Sequence, residues 1–198
     1  LSRQSGYAIG PMANWLARSA RYKKELLAVA GPLVEALARR EKQSVLVAAL
    51  HEGRRYILCH HNFNPAVNPE LDSPWYEDQY FTATGQLLYA HAEPTTRQAI
   101  AKRLGPPRVG PWKGLGQAAL EKDCERIRKA GHVAMEGSGT GLYIAAFPLL
   151  RNESVEAALG MSVPLDEARG VRAGYFVKAL GECAERINKA RRTVGSVG

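Results

Sequence analysis

Residues 142–164, LYIAAFPLLRNESVEAALGMSVP, decide the fold of this chain. Two apolar runs, Leu142–Leu150 and Val155–Val163, flank the polar tetrapeptide Arg151–Ser154. Apolar runs of this length that are bounded by polar turn residues are typical of strands, and the short connection indicates a hairpin. We therefore predict two antiparallel strands joined by a turn.

The second of these strands has one face of small side chains. Because successive side chains of a strand point to opposite faces, Ala158, Gly160 and Ser162 share a face. Small residues leave room there either for a closely packed backbone or for a ligand. Ile144 and Ala146 can share that face only if the turn contains an odd number of residues or one strand contains a bulge. A one-residue shift in register moves every side chain of a strand to the opposite face of the sheet. The sequence leaves this register open.

Outward from this hairpin, the sequence predicts a second hairpin and several helices. The apolar run Ser44–Leu50, the turn Glu52-Gly53 and the return over Arg54–His61 form the second hairpin. Helical segments are predicted over Thr84–His91, Pro94–Leu104, Leu120–Gly131 and Phe176–Ala190, with loops over 62–79 and 105–116. Because helices and hairpins are segregated along the chain, we predict an α+β fold with an antiparallel sheet.

The N-terminal part of the chain carries two apolar stripes at helical spacing. Their residues are Met12, Trp15, Leu16 and Ser19, and then Leu26, Ala30, Leu33 and Leu37. Gly31-Pro32 lies between the stripes and predicts a kink or a restart of the helix. Before them, residues 5–10 predict a short strand.

Charge and composition limit the classes of protein to consider. The net charge is +8, and residues 1–42 hold eight Lys or Arg against three Glu, so the basic excess lies near the N-terminus. That excess favours proximity to a polyanion, with a solvated helix face as the open alternative. There is no apolar run of about 20 residues and no signal-peptide pattern, so we expect a cytoplasmic protein without a membrane span. Cys59, Cys124 and Cys183 are widely spaced, which favours reduced thiols.

Five segments resemble, in order and at matching spacing, motifs of the IclR family of bacterial transcription regulators. They are GYAIGP at 6–11, FTATGQLLYA at 81–90, IRKAGH at 127–132, GLYIAAFP at 141–148 and ALGMSVP at 158–164. The first resembles the exit from the wing of the family's winged helix-turn-helix. The other four resemble segments of its effector-binding domain.

The resemblance implies a GAF-like fold, with a curved antiparallel sheet, helices packed on one side and a small-molecule pocket on the other. It also implies transcription control by a homodimer or homotetramer, and an effector that is a small organic acid or aromatic metabolite. DNA would be bound through an N-terminal domain that precedes this chain. On this basis residues 1–11 are the remnant of the wing, 12–30 a linker helix and 31–198 the effector-binding domain. We expect no catalytic residues, no metal and no cofactor.

Four departures from the family pattern fall where the family contacts its effector. Ile144 replaces the cysteine of the fourth motif, while Gly160 and Val163 replace a serine and a glycine of the fifth. Met135 and Glu136 compete for the place of the family's acidic residue. The departures leave the identity of the effector open.

A candidate effector site follows from these residues. Thr84 is a plausible helix N-cap, and the start of a helix offers N–H groups and a positive dipole end that suit a carboxylate. We therefore hypothesise that an anionic group lies near Thr84, Gly85 and Gln86, with Ser162 as a further donor. An ordinary capped helix without ligand is the alternative. The full predicted site is Thr84, Gly85, Gln86, Met135, Glu136, Ile144, Ala146, Gly160 and Ser162.

Other interpretations are weaker. The glycine-rich segment 137–141 precedes a predicted strand, whereas a phosphate-binding loop should open a helix. In Cys59-His60-His61 only the first and third residues share a strand face, and zinc needs three or four ligands. Because no nucleophile stands beside a base at a recognisable spacing, an enzyme on this scaffold is a minor alternative. A GAF-like sensor with an output other than DNA is another.

Overall fold

The computed structural model describes residues 11–67, 73 and 75–195. These residues form five helices and one five-stranded sheet. The elements are α1 (Pro11–Glu41), β1 (Ser44–His51), β2 (Arg54–Asn62), α2 (Ala83–His91), α3 (Pro94–Leu104), α4 (Gln117–Ala130), β3 (Val133–Glu136), β4 (Leu142–Arg151), β5 (Ser154–Pro164) and α5 (Val171–Gly195). The strands are ordered β2-β1-β5-β4-β3, and every neighbouring pair is antiparallel. The predicted α+β class is confirmed.

Both predicted hairpins are present and both turn through two residues with positive φ. Glu52 and Gly53 have φ of 49° and 72°, and Asn152 and Glu153 have φ of 47° and 65°. Positive φ at both central positions matches the right-handed twist of the flanking strands, which is why such turns are favoured in two-residue hairpins. The turns therefore fix where each strand reverses.

The register of the β4–β5 hairpin brings the small face of β5 together with Ile144 and Ala146. Ile144 pairs with Ser162 and Ala146 pairs with Gly160, and a shift in register follows between Leu149 and Leu150. Of the possibilities left open by the sequence, the bulge is the one observed. It places the two halves of the predicted site on one face of the sheet.

The sequence did not predict β3. This four-residue edge strand pairs with β4, and the turn that joins the two strands contains the glycine-rich segment 137–141. The N–H of Gly137 donates to Leu142 O at 2.7 Å, and the N–H of Thr140 donates to Gly137 O at 3.2 Å. A run of four residues is too short to show alternation, so the strand gave no pattern. The glycine-rich segment is thus a hairpin turn and opens no helix.

Helices cover both faces of the sheet. On one face α1 and α5 pack against Val45, Val47, Leu159 and Met161, which belong to the larger apolar cluster. On the other face α2 and α4 pack against Ala48, Ala146 and Ala158. The resemblance implied helices on one side only. Instead α2 and α4 form a second layer, on the face where the site was predicted.

The first helix runs without interruption through Pro32, so the predicted restart at Gly31-Pro32 is wrong. Proline removes one backbone hydrogen bond from a helix interior. The flanking apolar residues compensate, because Leu26, Ala30 and Val34 are fully buried against the sheet layer. The boundary drawn between residues 30 and 31 therefore lies inside α1. The predicted strand over 5–10, and all of the wing remnant except Pro11, lie outside the described residues.

Within the described part of the chain, every helix is too short or too polar to cross a lipid bilayer.

Candidate functional site

The site is built on one row of residues that crosses three strands. Ile144 of β4 lies opposite Ser162 of β5 on one side and opposite Met135 of β3 on the other. In the neighbouring row, Ala146 lies opposite Gly160. Ile144, Ala146 and Met135 belong to the apolar cluster under α2 and α4, so all five residues face that helical layer. The structure brings these five predicted residues together.

This row is incompletely covered although it lies within the sheet. β5 is the central strand, and Met161 and Val163, on its other face, are 3% and 1% exposed. Ser162 between them is only half-buried, as are Ile144 and Met135. Partly exposed apolar side chains beside a hydroxyl group on a central strand are compatible with a small-molecule site, because such sites are mostly apolar with a few polar groups.

The start of α2 lies directly over the neighbouring row. Thr84 is buried, and a Cβ on Gly160 would stand 2.6 Å from Cγ2 of Thr84, well inside van der Waals contact. Glycine at position 160 therefore allows the close approach of the helix, which is one of the two explanations offered for the small face. The same approach brings the first turn of α2 close to the row that contains Ser162.

The N-cap of α2 is Thr82, and the predicted cap at Thr84 is wrong. The Thr82 hydroxyl accepts a hydrogen bond from the N–H of Gly85 at 3.2 Å and donates to Asp78 O at 3.0 Å. Because the helix begins at Ala83, Thr84 lies in its first turn. First-turn N–H groups have no partner within the helix and lie at its positive end.

Gly85 and Gln86 support the chain that leads into α2. A Cβ on Gly85 would stand 2.5 Å from Thr82 Oγ1 and 2.7 Å from Gln79 Cα, so this position also requires glycine. Gln86 is 1% exposed, and its Nε2 donates to Tyr80 O at 2.8 Å. The Gln86 amide nitrogen thus holds residue 80 in place, so its donor is already engaged within the protein.

Glu136 is separated from the rest of the predicted site. It pairs with Tyr143 on β4, and alternation places it on the face opposite Met135. Its side chain is exposed. Of the two residues that competed for the family's acidic position, Met135 is the one that shares a face with Ile144 and Ser162.

Sequence reasoning missed two polar residues on the same face. Ser44 of β1 lies directly opposite Ser162, and its hydroxyl lies 2.9 Å from Nε2 of His60 on β2. Partial burial, and after it the charge of His61, lower the pKa of His60 below the usual histidine value. The alternation of Cys59-His60-His61, used only to test for a metal, also placed His60 on the face opposite its two neighbours.

A buried ion pair connects β2 to the approach of α2. Arg55 Nε donates to Asp78 Oδ1 at 2.6 Å, and a second guanidinium nitrogen contacts the other carboxylate oxygen. Asp78 O in turn accepts from the N–H of Thr82 at 3.2 Å and from the Thr82 hydroxyl. The start of α2 is thereby fixed relative to the sheet. No local pattern in the sequence indicated this pair, because its members are 23 residues apart in the chain.

Among the residues that the structure describes, no group of three His, Cys, Asp or Glu side chains is arranged to hold a metal ion.

Comparisons with known proteins agree on one family. A family model described as bacterial transcriptional regulator IclR C-terminal matches residues 19–189. An IclR homolog from Microbacterium hydrocarbonoxydans, solved in complex with 4-hydroxybenzoate, has a TM-score of 0.75 at 26% identity, over 93% of this chain and 75% of its own. An IclR homolog from Microbacterium sp. strain HM58-2 has a TM-score of 0.70 at 28% identity, over 91% and 73%.

The C-terminal domain of the E. coli transcriptional regulator KdgR has the same fold, with a TM-score of 0.67 at 22% identity, over 84% of this chain and 98% of its own. A comparison with curated protein sequences found no match. The family match covers most of the chain and agrees with the order and spacing of the motifs. This chain therefore belongs to the IclR family and contains the C-terminal domain of a bacterial transcriptional regulator.

Proposed function

We propose that this domain binds a small organic acid and thereby controls a DNA-binding transcription regulator in the cytoplasm. The observation that carries the proposal is the half-buried row of Ser162, Ile144 and Met135, next to the row on which the first turn of α2 packs. The Ser162 hydroxyl and the positive end of the helix suit a carboxylate. Ile144 and Met135 suit an apolar body. Ala146, Gly160 and Thr84, which pack together in the next row, would border the site.

An aromatic acid is the first candidate effector. The homolog from Microbacterium hydrocarbonoxydans was solved with 4-hydroxybenzoate and shares 26% of its sequence with this chain. A ring matches the apolar side chains of the row, and its carboxylate matches the polar groups near Thr84. The replacement of the family's cysteine by Ile144 makes the site more apolar, which favours an aromatic or aliphatic body.

The output would pass through α1. Its N-terminal half carries the basic residues Arg18, Arg21 and Lys24, which suit a position near DNA phosphates. Lys23, which the charge pattern grouped with them, is 8% exposed and so does not suit that role. In a dimer or tetramer, an effector shifts operator affinity only by its differential affinity for the two arrangements of the assembly. Such couplings are typically about 1–3 kcal/mol. The packing of α1 against the sheet and α5 is the contact that would change between the arrangements.

Thermal-shift titration tests the proposal. The unfolding midpoint should rise with the concentration of 4-hydroxybenzoate or another small organic acid, because a ligand that binds only the folded form must stabilise it. Ser162→Ala should reduce that rise, and Ile144→Glu should abolish it by placing a negative charge beside the carboxylate. Ser154→Ala, at the exposed start of the same strand, is the matched control and should respond like the wild type.

Two outcomes would contradict the proposal. In the first, no acid of a broad panel raises the midpoint. In the second, Ile144→Glu folds and still responds like the wild type. Recovery of the acid chemically unchanged after incubation would distinguish binding from turnover.

A further inference from the structure

The basic excess of the chain lies in its two terminal segments. Residues 1–24 hold five Lys or Arg and residues 186–198 hold four, and neither segment holds Asp or Glu. Residues 25–185 hold 18 Lys or Arg against 19 Asp or Glu. The terminal segments therefore account for the net charge of +8, since the rest of the chain is close to neutral.

The packing of α5 against α1 runs antiparallel. Tyr175 Oη, near the start of α5, donates to Glu41 Oε1 at the end of α1, at 3.3 Å. Eight residues further along α5, Cys183 Sγ donates to the carbonyl oxygen of Leu33, eight residues back along α1, at 3.8 Å. The last turns of α5 therefore lie beside the part of α1 that precedes residue 30.

This arrangement brings the two basic segments to the same end of the molecule. Because both helices rise about 1.5 Å per residue, Arg192 is level with Lys24. Glu156 on β5 gives independent evidence. Its carboxylate accepts a hydrogen bond from Arg191. Burial lowers the pKa of Lys23, and the charge of the same carboxylate opposes that shift, so Lys23 and Arg191 lie near one group.

Four cations at this end are exposed, namely Lys24, Arg186, Lys189 and Arg192, and we call them the terminal basic surface. Arg191 is not part of it, because its guanidinium turns inward and donates to Leu150 O at 2.6 Å. The three members on α5 follow one another at intervals of three residues, so they span about 9 Å along the helix.

The terminal basic surface suits a chain of phosphate groups. Each strand of duplex DNA carries one negative charge per about 3.4 Å of helix axis, and an arginine guanidinium can bind a phosphate through two nitrogens. Cations near the end of a helix also offset its negative dipole end, but that end amounts to about half a unit charge. Three cations on α5 exceed what the dipole requires, so a polyanion is the partner that this surface fits.

We propose that the terminal basic surface contacts DNA phosphates directly, so that the C-terminal domain itself adds to the affinity of the regulator for DNA. The choice of DNA among polyanions rests on the proposed function, in which α1 leads to the DNA-binding domain and this end of the molecule lies next to the duplex. Phosphate contacts carry no base sequence, so the added affinity is independent of the operator.

Fluorescence anisotropy of a labelled duplex titrated with the 198-residue chain tests the proposal. With about 24 base pairs of arbitrary sequence and about 50 mM salt, the wild type should bind with a micromolar Kd that weakens as salt rises. The variant Arg186→Gln/Lys189→Gln/Arg192→Gln should bind about tenfold more weakly or worse, and the slope of log K against log salt should fall by about 2–3. Lys24→Gln should lower the slope by about one.

Lys113→Gln/Lys122→Gln/Lys129→Gln is the matched control. It removes the same charge from three exposed lysines in or just before α4, which covers the opposite face of the sheet. It should keep the wild-type slope and an affinity within about threefold of the wild type, because only the long-range field changes. Circular dichroism and urea denaturation check that both triple variants fold.

Three results would overturn the surface and leave the proposed function standing: the wild type does not bind the duplex, the two triple variants lose affinity equally, or the chain binds phosphatidylglycerol vesicles and not DNA. The duplex titration contains no effector, so the two proposals fail separately. If no acid raises the unfolding midpoint and the duplex results are as expected, effector binding fails and the surface stands.

Discussion

Cγ2 of Thr84 occupies the space that a side chain at position 160 would need. The atom lies 2.6 Å from the place of a Cβ on Gly160, so helix α2 and strand β5 meet at a glycine. Carbon atoms in packed interiors lie about 3.5–4.0 Å apart. The contact therefore sets how closely the first turn of α2 approaches β5 at Gly160, in the row next to Ser162, Ile144 and Met135.

We expect Gly160→Ala to lower the free energy of unfolding by about 1–3 kcal/mol, because the added methyl group overpacks the contact. Thr84→Ala removes Cγ2 and should restore part of that loss in the double variant, giving a coupling energy of about 0.5–3 kcal/mol. Urea denaturation of the four proteins measures the coupling.

Gly174→Ala is the matched control for this cycle. Gly174 lies on the exposed side of α5 with open space around it, so alanine should stabilise the helix by up to about 1 kcal/mol. Additive effects of the substitutions at 84 and 160 would show that the helix does not rest on this glycine.

The cap of α2 gives a second prediction. Thr82→Ala should lower the free energy of unfolding by about 1 kcal/mol, because it removes the acceptor of the Gly85 N–H and the donor to Asp78 O. Thr82→Ser keeps the hydroxyl and should lie closer to wild type. Denaturation midpoints at constant m-value check both variants, and an equal loss in the two would show that the hydroxyl is not the stabilising group.

The ion pair between Arg55 and Asp78 gives a third prediction. Asp78→Asn removes the compensating charge from a guanidinium whose side chain is 6% exposed, and we expect a loss of about 3–5 kcal/mol. Glu77, which is exposed, bridges Arg54 at 3.4 Å and Arg103 at 2.9 Å, so Glu77→Gln should cost about 1 kcal/mol or less. Equilibrium denaturation of both variants compares a buried with an exposed ion pair of two neighbouring residues, Asp78 and Glu77, and similar losses would contradict the argument.

Sequence patterns predicted those parts of the structure that depend on local preference. The hairpin turns at Glu52-Gly53 and Asn152-Glu153 and the helix end at Gly131 are set by residues close in the chain. The continuous path of α1 through Pro32 could not be predicted, because burial of its apolar stripe outweighs the preference of proline.

The candidate site was predictable only where local pattern determines it. Alternation identified Gly160 and Ser162, but the register that joins them to Ile144 depends on a bulge, and the bulge depends on the packing of both strands. Ser44 is about 120 residues before Ser162 in the chain, and only the β1–β5 pairing places them side by side. No local pattern carries that information.

The protonation of His60 gives the last prediction. Its pKa is lowered in the folded chain by partial burial and by the charge of His61, so the unfolded chain takes up this proton at a higher pH. The contribution of His60 to the free energy of unfolding is therefore largest at neutral pH. It falls as the pH drops below 6.5, the ordinary histidine pKa, toward the lower pKa of His60 in the folded chain. His60→Gln should reduce the fall in unfolding free energy between pH 7.5 and pH 5.5, because glutamine does not take up a proton.

His91 should contribute to the pH dependence with the same sign, because burial and the charge of Arg128 lower its pKa too. Because the two histidines lie on different elements, the variant His60→Gln/His91→Gln should show the sum of the two reductions. A pH dependence in His60→Gln as steep as that of the wild type would show that His60 is protonated equally in both states.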